Sequence, residues 1–165
     1  MIKWLIMIIL FFLCILIGYY FSQRYVNRLK FFKSLILLCQ NLDIEINYSR
    51  ERLKKLINNY DEKTKKNLLG IDQEFLKYLD NPKELKKEEL FKNAGILKKE
   101  EQDLIFLFFK NLGRSDVENQ TKELKNFIAK FEEIKIKAEN ENKKYGSLSL
   151  KLGLIIGLFI LVILI

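Results

Sequence analysis

The stretch "WLIMIILFFLCILIGYYF", residues 4–21, runs for 18 positions without a charge. A helix rises about 1.5 Å per residue, so this run covers about 27 Å of a hydrocarbon layer about 30 Å thick. It reads as a membrane-spanning helix. Lys3 precedes it, but the run is longer than the apolar region of a signal peptide. No small-residue cleavage site follows, since the first alanine is Ala94, so the segment is expected to stay attached. Bulky Leu13 ahead of Cys14 argues against lipid attachment at that cysteine.

A second apolar run, Leu152 to Ile165, is 14 residues long, or about 21 Å of helix, a length shared with buried core helices. Residues 146–150 lengthen it to roughly 30 Å if the Lys151 ammonium snorkels toward the interface. No later chain covers it, so a second span is expected over 145–165. Gly153 and Gly157 form a G-x-x-x-G, which reads either as a close-packing element or as the ordinary glycine content of membrane helices. Arg24, Arg28, Lys30 and Lys33 follow the first span, and Lys143, Lys144 and Lys151 flank the second. Basic flanks stay inside. The chain therefore divides into a span at 1–22, a cytoplasmic domain at 23–144 and a span at 145–165, and the juxtamembrane cluster is expected to meet anionic lipid head groups.

The formal net charge is +8. With Lys3 and Lys151 set aside, the middle of the chain holds all 21 acidic residues and a net +6, too modest to imply nucleic acid without a recognition motif. Cys14 and Cys39 make neither a disulfide framework nor a metal site, and the absence of histidine removes the commonest general base and the commonest metal ligand. Carboxylate neighbours such as Asp43 and Glu45, or Glu100 and Glu101, lie among lysines and read as solvated charge. With no phosphate-cradling glycine loop or nucleophile elbow, no enzyme activity and no cofactor are expected.

A single proline, few glycines and no alternating strand pattern make the middle all-α, a bundle of about six helices flanked by the two spans. The first helix continues out of the membrane with a buried stripe at Leu29, Phe32, Leu35, Ile36, Cys39, Leu42 and Ile46. Leu53, Leu56 and Ile57 mark a short second helix, and a third covers about 73–79. Asn81, Pro82 and Glu84 supply a cap, a first-turn proline and an acidic third position, predicting a fourth helix from there to about 93–95. A fifth, about 98–111, contains "LIFLFF" (104–109), apolar on every face and so central or pressed against a partner. The sixth keeps a heptad seam through Val117, Leu124, Phe131, Ala138 and Tyr145, with Phe127 and Ile134 in its second row. Packing within its own bundle and coiled-coil pairing both fit that seam, which breaks at Gln120 and Glu141.

Between the fifth and sixth helices lies "NLGRSDVENQ" (111–120). Gly113 suits a left-handed helix end, and Ser115 with Glu118 suits a capping box. Arg114 and Asp116 are more than the turn itself needs. They read either as an exposed local pair or as a presented contact.

The order of a membrane span, "LDIEINYS" (42–49), a helical domain, "LGRSDVENQ" (112–120), a long charged helix and an apolar tail resembles the stage III sporulation protein AB family of endospore-forming bacteria. The family's Leu-Gly-Arg-x-Asp corner and following Gln are matched by Leu112, Gly113, Arg114, Asp116 and Gln120, and its early E-I-x-Y by Glu45, Ile46 and Tyr48. The tract 58–97 matches only in helical character.

The resemblance implies a helical domain similar to the inner-membrane platform of type II secretion and type IV pilus machines. It implies a protein that does no chemistry and holds a cytoplasmic secretion ATPase, the stage III sporulation protein AA-like partner, against other stage III membrane proteins of the mother cell–forespore channel. Glu45, Tyr48, Gly113, Arg114, Asp116 and Gln120 become candidate contact residues, and homo-oligomers are compatible. The rival is a self-associating two-span structural or channel protein using the G-x-x-x-G tail and the "LIFLFF" run.

Overall fold

The computed structural model describes residues 2–44, 50–81, 85–112 and 117–164, and every regular element among them is helical. In chain order these are α1 (Ile2–Ile44), α2 (Arg50–Asn58), α3 (Glu62–Asn67), α4 (Ile71–Asp80), α5 (Lys87–Leu90), α6 (Lys99–Asn111), α7 (Val117–Glu141) and α8 (Ser147–Leu164), with a π-helical turn, Asn142–Gly146, joining the last two. The chain forms two compact units. One contains Met1–Leu29 and Ile136–Ile165, the other Lys30–Lys135.

The core of Lys30–Lys135 is built on α1. Phe31, Phe32, Leu35, Ile36, Leu38, Cys39 and Leu42 are buried, while Lys30, Lys33, Leu37 and Gln40 form the narrow exposed strip. The apolar arc is wider than the expected stripe because Phe31 and Leu38 join it. Burial pushes the Cys39 thiol well above its ordinary range, which leaves it a small apolar filler. Two polar clamps hold α1 to the segments that follow. Asn41 Nδ2 donates to the Tyr60 hydroxyl at 2.9 Å, and Asn67 Nδ2 donates to Ser34 Oγ at 3.2 Å. Ser34 is thereby satisfied inside the core.

The "LIFLFF" run is central on three sides. Ile105, Phe108 and Phe109 are buried, and Leu107 is exposed. The Phe108 ring meets Phe109 at 5.0 Å, Phe127 at 5.5 Å and Phe131 at 5.7 Å between centroids, and Phe109 meets Phe75 at 4.6 Å. The middle of the α7 heptad seam is therefore spent inside the unit, since Leu124, Phe127 and Phe131 belong to the same core, while Ala138 and Tyr145 belong to the other unit. At the start of α6 the Lys98 backbone N–H donates to Glu101 Oε2 at 2.9 Å, which holds a buried carboxylate over the first turn.

Two local readings are corrected. Pro82 and Glu84 of the expected fourth-helix start lie outside the described residues, but no helix continues from there to about 93–95. Asn81 closes α4 in an extended conformation, Leu85 and Lys86 are not helical, and the helix spans Lys87–Leu90 only. A favourable first-position proline is a weak local preference, and burial overrides it: Leu85 packs on the core, and Leu90, Phe91, Ala94 and Leu97 turn inward one after another. A short helix at Glu62–Asn67 was not foreseen. Asp61 caps it by accepting the Thr64 backbone N–H at 3.1 Å, a pattern carried by only four residues. The turn after it holds Leu69 at φ 59° and Gly70 at φ 84°. The non-glycine left-handed residue costs about 1–2 kcal/mol, offset by packing of the Leu69 side chain on the core.

Candidate membrane hairpin and assembly site

In the unit formed by Met1–Leu29 and Ile136–Ile165, the packing pairs Phe11 with Gly157, Gly18 with Gly153 and Ser22 with Gly146. One number rises as the other falls, so α1 and α8 are antiparallel. A Cβ on Gly153 would sit 2.8 Å from the Cys14 carbonyl oxygen and 3.1 Å from Gly18 Cα, and one on Gly157 would sit 2.9 Å from Phe11 Cδ2. Both glycines of the G-x-x-x-G are thus spent on α1, which resolves the two readings of that motif in favour of close packing inside one chain. Gly18 supplies the other half of the contact. Its signal, a lone glycine in an otherwise bulky run, was present in the sequence but had no partner to point to.

The outside of this hairpin is apolar. Trp4, Leu5, Phe12, Leu16, Tyr20, Leu154, Ile155, Phe159 and Val162 are all exposed, and both helices are long and apolar enough to cross a membrane by length and composition. Apolar side chains exposed along the whole of two paired helices mark a surface that is covered by lipid or by a partner. Aromatic side chains mark its two ends, with Trp4 61% exposed at one and Tyr20 64% exposed at the other, about 24 Å apart along the helix. By the Phe11–Gly157 and Gly18–Gly153 pairings, Lys151 is level with about residues 17–20 of α1, within the last turn of the apolar surface.

Beyond Tyr20 the hairpin becomes polar. The Arg28 guanidinium and the Glu141 carboxylate form an ion pair in which the arginine side chain is only 6% exposed. Arg28, grouped in sequence with the other membrane-flanking basic residues, is thus turned inward onto α7. Lys143 pairs with Glu139 at 3.0 Å, Tyr25 and Tyr145 lie 6.0 Å apart, and Lys144 Nζ sits 5.0 Å from the centre of the Tyr145 ring. Gly146 closes the π-helical turn where a Cβ would strike Asn142 Oδ1 at 2.7 Å. Glu141, a break in the heptad seam by sequence, is a polar contact of that same face. Arg24, Lys143 and Lys144 are exposed on this unit, as is Lys30 on the other.

Of the candidate contact residues, Glu45, Tyr48, Gly113, Arg114 and Asp116 lie outside the described residues. Gln120 is described, and it is buried. It borders a hollow of about 10 Å³ lined also by Phe108, Leu112, Leu124 and Phe127, about the size of one water, and its Nε2 has no partner among the described residues. Gln120 therefore faces the core of its own unit.

Elsewhere on Lys30–Lys135, Asn58, Lys65, Lys66, Gly70 and Asp72 border an open concavity of about 550 Å³. Burial raises the Asp72 carboxyl above the usual range, against backbone N–H groups and Lys65, which act to lower it.

A family model described as stage III sporulation protein AB matches residues 3–165, while neither the curated proteins nor the solved structures gave a match. The match takes in both apolar helices and the whole helical insertion between them: the chain belongs to the stage III sporulation protein AB family.

Proposed function

We propose that the protein is a non-enzymatic membrane platform of endospore formation, one that anchors its helical unit to the mother-cell membrane and docks a cytoplasmic secretion-type ATPase of the stage III sporulation AA kind. The observation that carries this reading is the antiparallel apolar hairpin interrupted by a helical insertion, in a chain matched by the sporulation family over nearly its full length. Hairpin and insertion divide the labour: one presents lipid-compatible surface on all sides, the other a packed core with polar clamps. In this reading residues 23–144 are cytoplasmic, which the basic residues at the polar end of the hairpin support. The rival, self-association through the G-x-x-x-G tail, loses ground because Gly153 and Gly157 are occupied by α1.

The test is a pull-down of the AA-like ATPase by the full-length chain in detergent, alongside the Arg114→Ala/Asp116→Ala double variant. Capture by the wild type and loss with the folded double variant support docking through the corner. No capture by the wild type overturns the platform role, and equal capture by both overturns the corner. An impermeant thiol reagent applied to intact cells should leave Lys125→Cys unlabelled until the cells are opened; immediate labelling contradicts the cytoplasmic placement.

A further inference from the structure

The membrane-proximal unit contains two acidic residues, Glu139 and Glu141, and both are engaged by basic side chains, Lys143 and Arg28. Lys144 and Lys151 are exposed and have no acidic partner among the described residues; Lys144 rests only on the Tyr145 ring. Ser147, also exposed, lies between them. The spacing 144, 147, 151 places all three on one face of the helix, even with the wider turn of the π segment. The two lysines start about 10 Å apart along the axis, close enough for both flexible ammonium groups to reach one anion between them. Lys151 lies within the last turn of the apolar surface and Lys144 lies on its polar side, so the face crosses the border between the two.

We propose that Lys144, Ser147 and Lys151 form a phosphodiester-binding face that holds the head group of an anionic phospholipid at the polar end of the hairpin. The inference rests on the membrane reading above and narrows it. Arg28 and Lys143 answer the unit's own carboxylates, whereas Lys144 and Lys151 share one exposed helix face and answer the lipid. The lysines supply charge and the serine hydroxyl donates to a phosphate oxygen.

The full chain is reconstituted in vesicles of phosphatidylcholine alone and of phosphatidylcholine with phosphatidylglycerol, and the lipid retained on extraction is identified by native mass spectrometry. The wild type should retain phosphatidylglycerol preferentially. Lys144→Gln/Lys151→Gln should lose roughly tenfold of that preference, Lys144→Arg/Lys151→Arg should keep it, and the exposed control Lys92→Gln/Lys125→Gln should leave it unchanged. An unaltered preference in the first variant, or an equal loss in the control, overturns the proposal while the membrane reading stands. Stabilisation by inorganic phosphate in pure phosphatidylcholine, equal to that by phosphatidylglycerol, overturns the lipid as the source of the anion. A chain that floats with neither kind of vesicle overturns the membrane reading and this proposal together.

Discussion

Gly18 and Gly153 meet backbone to backbone: a Cβ on Gly18 would lie 3.1 Å from Gly153 Cα and 2.7 Å from the Ser149 carbonyl oxygen. Neither helix can yield without separating from the other. Gly18→Leu or Gly153→Leu should therefore destabilise the hairpin by about 1–3 kcal/mol. Trp4, the single tryptophan, lies on this unit, so its fluorescence during denaturation in detergent reads the effect directly. A Gly18→Leu chain that unfolds with the wild type would show that the contact does not hold the hairpin.

At the other end of the same unit, Arg28 and Glu141 form an ion pair with unequal exposure, 6% and 27%. Removing one partner takes the opposite charge away from a part-buried group. Glu141→Ala should cost about 3 kcal/mol, at the low end for a buried pair because the carboxylate retains some water. Arg28→Met/Glu141→Leu should cost less than either single change, and a larger cost for the double variant in thermal melts would contradict the pairing.

Two aspartates of the helical unit give opposite pH signatures. Thr64, through its side chain and backbone, holds the Asp61 carboxyl below its usual range. The cap's contribution is thus present above the unfolded-state value near 4 and is lost as pH falls through the lower folded value. For Asp72 burial raises the folded value, so the ionised form is unfavourable at neutral pH and the penalty disappears on acidification. Asp61→Ala should lower the melting temperature at pH 7 and matter less in strong acid. Asp72→Asn should raise or preserve it at pH 7 and lose that advantage near pH 4. Melts across this range with the opposite ordering would refute both assignments.

Phe108 sits where α6 and α7 meet, with three phenylalanine neighbours. Phe108→Ala should cost about 3–5 kcal/mol through lost burial and the cavity left behind. Exposed Leu107, one residue earlier, provides the contrast: Leu107→Ala should stay within about 0.5 kcal/mol. Chemical denaturation of the two variants compares them, and similar costs would mean that the face of α6 is misassigned.

The elements whose apolar residues repeat over many turns were legible in the sequence: α1, α6, α7 and both apolar ends follow from spacing alone. The pieces that depended on a few residues were not. Asp61 and Thr64 make α3 through one cap, with no periodicity to announce it. The start signal around Asn81 and Pro82 was local, and packing of Leu85 and Leu90 on the core limits the helix after it to Lys87–Leu90. The hairpin contact was half legible, because Gly153 and Gly157 form a motif while Gly18 stands alone, and pairing them takes the fold. Arg28 and Glu141 each looked like surface charge for the same reason. The contact role of the corner came from a family pattern, and in it Gln120 proves to be an inward residue: Leu124 and Phe127 follow it at four and seven residues on the same face of α7, and Phe108 and Leu112 meet it from the α6 side.

The glycine contact also has a consequence in time. Gly18 leaves the ribosome about 135 positions before Gly153, and at bacterial elongation rates that is an interval of roughly 7–27 s. Throughout it the notch at Gly18 is open while the residues between are being made. The nascent first helix is therefore a temporary acceptor for any small-residue helix nearby, including the finished α8 of another copy. Faithful closure depends on the chain's own α8 arriving at a high local concentration, since it is covalently tethered to α1.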